Sequence, residues 1–211
     1  MNAAKNEKTV KQTGIATATA IFADNGGTLS TMKAIRLGIH PEILYRMRNE
    51  GVVIQIGRGL YRLAKLPPLK NPDLIAVALK APKAVICLIS ALSFHELTMQ
   101  IPHEVSIALR PGYKPPRLSH PPIRAFYFSA GALSEGIQRH EIDGISVQIF
   151  SPEKTIADCF KFRNKIGNDV AIESLKIYRR RKGASVDEIL KYARICRVEE
   201  VMQPYLETAF A

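Results

Sequence analysis

The segment at residues 41–51, PEILYRMRNEG, carries side chains whose chemistry suits the reading of DNA bases. At helical spacing, Tyr45, Arg46 and Asn49 share one face, whereas Leu44 and Met47 lie on the opposite, apolar face. In the major groove, an Arg guanidinium can bind the edge of guanine and an Asn amide can bind adenine. Pro41 fits the first position of a helix, and Gly51 fits its end. The segment therefore predicts a base-reading helix.

The elements around this helix are predicted to form a winged helix-turn-helix, which is a DNA-binding module. Residues 28–63 predict a short helix, a turn at Gly38, the base-reading helix and a two-stranded hairpin with Arg58 at its tip. A further helix is expected to begin at Thr13, after a flexible basic segment at residues 1–12.

The predicted DNA contacts divide into base contacts and phosphate contacts. Tyr45, Arg46, Asn49 and His40 are expected to face bases, and the remaining cations are expected to face phosphates. In the short helix before the turn, periodicity predicts that Met32, Ile35 and Leu37 point inward. The complete predicted DNA-binding set is Lys33, Arg36, His40, Tyr45, Arg46, Arg48, Asn49, Arg58 and Arg62.

Composition and charge agree with a nucleic-acid partner. The chain has 211 residues, a net charge of +11, 46% hydrophobic residues and 23% charged residues. Such a positive charge favours phosphate backbones, anionic lipid or an acidic protein, and a merely basic surface is the alternative. No apolar run reaches the roughly 18–20 residues of a membrane span, and the N-terminus lacks the apolar core of a secretory signal. Cys87, Cys159 and Cys196 are expected to be buried, reduced thiols of a cytoplasmic protein.

The predicted fold class is α+β, in two domains. Residues 1–66 form the DNA-binding domain, the proline-rich segment 67–72 is a linker, and residues 73–211 form a larger mixed domain. The larger domain is expected to hold a small antiparallel sheet with a hairpin at Asp143-Gly144, followed by a helical C-terminal tail. Residues 84–89 could form a strand or begin a helix, and periodicity leaves this open.

Two basic clusters in the larger domain are candidate surfaces for a partner or nucleic acid. Tyr113 in the first cluster could stack on a base, and the second cluster ends a helix, where cations are favoured by the helix dipole alone. Solvation without a partner is the alternative for both clusters. Their members are Arg110, Tyr113, Lys114 and Arg117, and then Arg179, Arg180, Arg181 and Lys182.

Enzyme motifs are missing from the sequence. It contains no phosphate-binding glycine loop, no paired cysteine motif and no His-Glu-x-x-His. Ser90, His95 and Glu96 suggest a hydrolase, but a helix cap at Ser90 and a helix end explain them better. Glu141 and Asp143 suggest a nuclease acid pair, but an Asp-Gly turn explains Asp143. We therefore expect no catalytic residue, no metal site and no cofactor.

Three segments of the sequence, taken in order, carry a resemblance to a known family. The first is LYRM through GRGLYRL at residues 44–63. The second is ISALSFHEL at residues 89–97, followed by Pro102 and a strand at residues 105–109. The third is SPEKTIAD at residues 151–158, after a hairpin. Together, in this order, they resemble the AbiEi family, the antitoxins of bacterial type IV AbiE toxin–antitoxin systems.

The resemblance implies a winged-helix repressor that binds repeats at its own promoter, within a phage-defence system. It also implies a C-terminal domain that counters a nucleotidyltransferase toxin, without a stable complex between the two proteins. His40-Pro41 departs from the small polar residues of many relatives, so the operator sequence stays open. The alternatives are a stand-alone winged-helix regulator, a module that docks an acidic partner through its basic C-terminal domain, and a factor that holds RNA on residues 179–182.

Overall fold

The computed structural model describes residues 14–118 and 120–210, which form a mixed α+β structure. This confirms the predicted α+β class. The predicted basic lead-in at residues 1–12 and the predicted helix start at Thr13 lie outside the described residues.

The described chain divides into two compact units. The first unit takes in the chain up to Pro72 together with Glu141–Ser146, and the second takes in Asp73–His140 and the chain from Val147 onward. The segment 67–72 packs within the first unit, because Pro67 O accepts a hydrogen bond from Arg62 Nη2 at 2.9 Å.

Among its described residues, the first unit has three helices and a three-stranded antiparallel sheet. Its strands have the order β1-β3-β2, so β3 is the central strand. Strand β1 was missed by the sequence prediction. The elements are α1 (residues 14–24), β1 (Thr28–Ser30), α2 (Thr31–Arg36), α3 (Pro41–Asn49), β2 (Val53–Gly57) and β3 (Leu60–Leu63).

Local signals explain the turn between α2 and α3. Ser30 caps α2, because its hydroxyl accepts the Lys33 N–H at 3.2 Å. At the end of α2, Gly38 has a φ of +91° and the Ile39 N–H donates to Ala34 O at 3.0 Å. This is the Schellman arrangement, in which glycine takes the left-handed position and the next residue covers the helix end. Ile39 is accordingly buried.

The predicted inward face of α2 is wrong. Met32, Ile35 and Leu37 are 73%, 46% and 39% exposed, whereas Ala34 is fully buried. The cap at Ser30 fixes the phase of this six-residue helix, and the small Ala34 side chain lets α2 lie close to the core. The buried core of the unit is Ala18, Phe22, Leu29, Ala34, Ile39, Leu44, Met47, Val53 and Tyr61.

The second unit contains a five-stranded sheet and eight helices among its described residues. The strand order is β6-β5-β4-β8-β7. The elements are α4 (Pro72–Lys80), β4 (Val85–Ile86), α5 (Leu88–Phe94), β5 (Val105–Leu109), β6 (Ile123–Tyr127), α6 (Ala130–Ser134), β7 (Ile137–Ile142), β8 (Ile145–Phe150), α7 (Pro152–Lys161), α8 (Arg163–Ile166), α9 (Asn168–Arg179), α10 (Val186–Cys196) and α11 (Glu199–Phe210).

The sheet is mixed, and the prediction of an antiparallel sheet is wrong. Strand β4 pairs antiparallel with β5 but parallel with β8, and β5 pairs parallel with β6. A parallel pair needs a connection that returns the chain to the same end of the sheet, and the proline-rich loop after β5 provides it. The hairpin of β7 and β8 is confirmed: Asp143 and Gly144 have φ values of +51° and +82°, as a type I′ turn requires.

The open question about residues 84–89 is settled, because strand β4 is followed directly by helix α5. The predicted cap at Ser90 is wrong, since Cys87 occupies the cap position and Ser90 is buried inside α5. The Ser90 hydroxyl accepts the Ser106 N–H at 2.8 Å and donates to Glu104 O at 3.3 Å. Ser90 therefore ties α5 to the start of β5.

Helix α7 carries a buried ion pair into the core of the second unit. Lys154 Nζ lies 2.5 Å from both carboxylate oxygens of Asp158, and neither side chain is exposed. The Cys196 thiol donates to Asp158 Oδ1 at 3.1 Å. Cys87, Cys159 and Cys196 are free and buried, as predicted, and burial raises the pKa of each thiol. Among the described residues, no helix is both long and apolar enough to cross a membrane.

Candidate nucleic-acid interface

Three side chains form a continuous exposed group on α3. Tyr45 is 48% exposed, and the Arg48 guanidinium carbon lies 5.5 Å from the centroid of its ring. The Arg48 Nε and Nη2 atoms donate to Asn49 Oδ1 at 3.4 and 3.3 Å. The cation–π contact and the hydrogen bonds hold Arg48 between its two neighbours. We call Tyr45, Arg48 and Asn49 the α3 triad.

Arg46, a predicted base contact, is drawn away from the α3 triad. Its Nη2 atom pairs with Glu42 Oε1 at 2.9 Å, its side chain is 21% exposed, and Nη1 is shielded from solvent without a hydrogen-bond partner among the described residues. Successive residues on a helix are separated by about 100°, which turns Arg46 from Tyr45 toward the buried side. The structure thus groups Arg48, predicted as a phosphate contact, with Tyr45 and Asn49.

The β2–β3 hairpin presents Arg58 at its exposed turn. This turn is fixed to the start of α2, because the Thr31 N–H and hydroxyl both donate to Gly59 O, at 2.8 and 3.2 Å. Gly59 has a φ of +70°, a conformation that glycine adopts without strain. Arg58 therefore extends from a turn whose backbone is anchored.

Arg62 is a correction to the predicted DNA-binding set. It is 3% exposed, and its guanidinium donates to Thr28 Oγ1 at 2.8 Å, Pro67 O at 2.9 Å and Asp143 Oδ1 at 3.0 Å. The prediction treated β3 as an outer strand, but β3 lies between β1 and β2, and Thr28 of β1 pairs with Arg62 in register. Arg62 is therefore part of the interior and cannot contact phosphate.

The remaining predicted contacts lie in or just after α2. Arg36 and His40 are exposed, and Lys33 is half-buried. His40 also caps α3, since its Nδ1 accepts the Glu42 N–H at 3.3 Å. A role for these three residues in DNA binding stays a prediction.

The two predicted basic clusters of the second unit differ. Arg110, Tyr113, Lys114 and Arg117 are all exposed in the loop after β5. In the second cluster, Arg179 donates to Ala209 O, and Arg181 donates to His95 O and, at 3.2 Å, to Glu96 O. These carbonyls are the free acceptors of helix ends, so two of the four cations already have partners within the chain. Arg180 and Lys182 are exposed.

The residues that suggested a hydrolase are occupied by structural hydrogen bonds. The Ser90 hydroxyl bonds the main chain around β5, and His95 Nε2 lies 2.7 Å from Phe150 O. Burial lowers the pKa of His95, and the bond to Phe150 opposes this shift. Asp143, half of the suggested nuclease pair, binds Arg62 and accepts the Lys70 N–H at 3.1 Å. In the described ranges, no group of three or more His, Cys, Asp or Glu side chains could hold a metal ion.

Comparisons with known proteins point to the same segment of the first unit. Residues 17–64 match the family model AbiEi_4, described as transcriptional regulator, AbiEi antitoxin. No curated protein matches the chain. One similar solved structure is the crystal structure of the RV2827C protein from Mycobacterium tuberculosis, with a TM-score of 0.47 and 11% sequence identity over 90% of this chain and 79% of that chain. The family match covers α2, α3 and the β2–β3 hairpin, so the elements of the candidate interface lie within the segment that is similar to the AbiEi antitoxin family of transcriptional regulators.

Proposed function

We propose that the chain is a sequence-specific DNA-binding repressor, and that its first unit is a winged helix-turn-helix with the β2–β3 hairpin as the wing. The observation that carries the proposal is the exposed α3 triad inside a segment that matches a family of transcriptional regulators. The short Schellman turn before α3 and the anchored turn of the hairpin support it, because a DNA reader needs its helix and wing held in fixed positions.

In this proposal, α3 enters the major groove and the α3 triad contacts base edges. The Arg48 guanidinium matches the two acceptors of guanine, and the Asn49 amide matches the donor and acceptor of adenine. Arg58 at the tip of the wing contacts phosphate or enters the adjacent minor groove. Arg36, on the helix before the turn, adds a phosphate contact. The surface thus combines base-reading groups with groups that only position the protein.

We further propose that the protein acts in the cytoplasm as the antitoxin of its own operon. It would repress that operon by binding operator repeats at its promoter, and it would counter a nucleotidyltransferase toxin without a stable complex with it. The description of the matched family, which joins regulation and antitoxin activity, supports this role. Because the α3 triad lies in the first unit, we assign repression to that unit, and we assign neutralisation of the toxin to the second unit, as the resemblance of the whole sequence implies.

Fluorescence anisotropy with DNA from upstream of the gene and a scrambled duplex tests the DNA-binding role. We expect Arg48→Ala and Asn49→Ala each to reduce the preference for the native sequence, by about 1–3 kcal/mol per lost bidentate contact. Arg58→Ala should weaken binding to both duplexes equally and lower the slope of log K against log salt by about 0.9. Arg139→Ala, which removes an exposed cation of β7, is the matched control. A full preference retained by both α3 variants would show that α3 is not the reader.

Coexpression with a nucleotidyltransferase encoded beside the gene tests the antitoxin role. We expect the full-length chain to restore growth, and the Arg48→Ala variant to restore it equally while losing repression of a promoter fusion. Growth arrest in the presence of the natural chain would contradict the antitoxin role. Loss of both activities in the Arg48→Ala variant would contradict the assignment of the two roles to different units.

A further inference from the structure

The second unit contains a cavity of about 500 Å³ whose lining combines apolar, aromatic and cationic side chains. Strands β4, β5, β7 and β8 and helix α6 contribute to this cavity. Its apolar residues are Val85, Ala108, Leu109, Leu133 and Ile137, and its polar residues are Lys83, Arg110, Tyr113, Ser134 and Gln148. Within the described chain, no carboxylate lines it.

A rigid turn places the aromatic and cationic groups at this cavity. The Tyr113 N–H donates to Arg110 O at 3.2 Å, with Pro111 and Gly112 between them. Gly112 has a φ of +85°, so the four residues form a type II turn with proline and glycine at their preferred positions. Tyr113 is 61% exposed, although it sits on a fixed backbone. A large exposed aromatic ring on a turn of defined backbone is suited to stacking on a planar ligand.

Positive charge continues from the cavity along the loop. Lys83 and Arg110 line the cavity, and Lys114 and Arg117 follow Tyr113 on exposed positions. Two prolines separate Lys114 from Arg117, and proline favours an extended backbone that keeps the two charges apart. A planar stacking group beside a line of cations matches a ligand that alternates bases with phosphates.

We propose that this cavity and the loop after β5 bind single-stranded nucleic acid, with one base stacked on Tyr113 and the flanking phosphates held by Arg110, Lys83 and Lys114. A base in a duplex is stacked between its neighbours and cannot offer its face to a side chain, so the site selects single strands. The site lies in the second unit and is separate from the duplex-binding surface proposed for α3.

The chain contains no tryptophan, so Tyr113→Trp provides a single fluorophore at the proposed site. The full-length variant is titrated with oligothymidylate and oligouridylate of about ten nucleotides, within the roughly 4–16 nucleotides of common single-strand sites. Blunt duplex DNA and the free mononucleotides are titrated at equal nucleotide concentration. Met99→Trp is the matched control, because Met99 is 84% exposed in the same unit but does not line the cavity.

We expect saturable quenching of Tyr113→Trp by one or both oligonucleotides, weak quenching by duplex and mononucleotide, and no saturable quenching of Met99→Trp. The stronger of the two oligonucleotides identifies the natural strand as DNA or RNA. Adding Arg110→Gln to the Tyr113→Trp variant should lower the slope of log K against log salt for oligonucleotide binding by about 0.7. No quenching by either oligonucleotide, equal quenching in Met99→Trp, or equal quenching by duplex or mononucleotide would overturn the proposal.

A second measurement removes any dependence on the introduced tryptophan. Labelled oligonucleotide is bound to the chain in the presence of excess unlabelled duplex, which occupies the first unit. Tyr113→Ala should weaken binding roughly 5- to 150-fold, the range for one lost stacked base, while Tyr113→Phe should retain it. Equal binding by both variants would overturn the assignment of Tyr113, and circular dichroism checks that each variant is folded.

Discussion

Each unit of the molecule buries a cation, and the two cations are bound by different kinds of partner. In the first unit, the Arg62 side chain is 4% exposed and donates to acceptors from three separate segments, at Thr28, Pro67 and Asp143. In the second unit, the Lys154 side chain is fully buried and pairs with one carboxylate, Asp158, four residues later in the same helix. The first arrangement is non-local and the second is local.

The difference determines what each cation contributes. The planar guanidinium of Arg62 has donors in several directions, so it joins segments that are up to 81 residues apart in the sequence. The ion pair of Lys154 stays within one helix, and its Nζ atom lies 4.3 Å from the centroid of the Phe150 ring and 5.1 Å from that of the Phe128 ring in an apolar core. Burial raises the pKa of Asp158, and Lys154 opposes that rise. Loss of Lys154 would leave Asp158 without its compensating charge.

The largest expected effect is therefore that of Lys154→Met. The side chains have similar shape, but the variant leaves an unpaired carboxyl group in the core, and breaking a buried pair in this way costs about 3–5 kcal/mol. Urea unfolding followed by circular dichroism measures the loss. The double variant Lys154→Met, Asp158→Leu should recover most of the stability, because a well-packed apolar replacement of both partners is often neutral. A single variant as stable as the natural chain would contradict the importance of the pair.

A smaller loss is expected from Asp143→Asn in the first unit. Arg62 keeps its bonds to Thr28 and Pro67 and loses only its carboxylate partner, which corresponds to about 1–3 kcal/mol. Asparagine tolerates the left-handed backbone of this position, where φ is +51°, so the turn itself is conserved. Thermal unfolding measures the change. Asp24→Asn, an exposed acid of the same unit, should change stability by less than about 0.5 kcal/mol, and equal effects of the two would contradict the ion-pair argument.

Sequence patterns predicted the elements that are specified by neighbouring residues. The Asp143-Gly144 hairpin has its predicted turn, and α3 begins at Pro41 and ends before Gly51 as its residues predicted. Strand β1 was missed because its three residues are too few to show alternation. That single omission made β3 an outer strand in the prediction and assigned Arg62 to DNA.

At the candidate site too, sequence patterns could indicate only the features that neighbouring residues determine. The exposure of Tyr45 and Asn49 follows from helical spacing, and so does the Glu42–Arg46 pair at i, i+4, which the sequence contained but the prediction did not use. The mixed sheet and the contact between Arg62 and Asp143 depend on residues that are far apart in the chain. No local pattern specifies such contacts.

Acid should weaken the second unit through its histidines. Burial lowers the pKa of His95 and of His140 below the ordinary value of about 6.5. Below that pH the two histidines of the unfolded chain bind protons, whereas those of the folded unit stay neutral. The free energy of unfolding therefore falls as pH falls from about 6.5 toward the lowered pKa values of the folded state. Urea midpoints at several pH values measure this loss. The double variant His95→Gln, His140→Gln should show a smaller loss, and an unchanged pH dependence would remove both groups from the explanation.

The smallest effect on stability is expected for the third ion pair, Glu42–Arg46, whose side chains are 69% and 21% exposed. Exposed pairs at this spacing contribute about 0.3–0.5 kcal/mol, so Glu42→Gln should leave the unfolding midpoint nearly unchanged.

The same substitution releases the Arg46 guanidinium beside the α3 triad, and we expect tighter DNA binding. Glu50→Gln is the matched control, because it removes one negative charge at the end of α3 without releasing an arginine. Equal gains in affinity would mean that charge alone is responsible, and a larger gain for Glu42→Gln would restore Arg46 as a DNA contact. A loss of stability in Glu42→Gln as large as that in Asp143→Asn would contradict the expectation that the more buried of these ion pairs contribute more to stability.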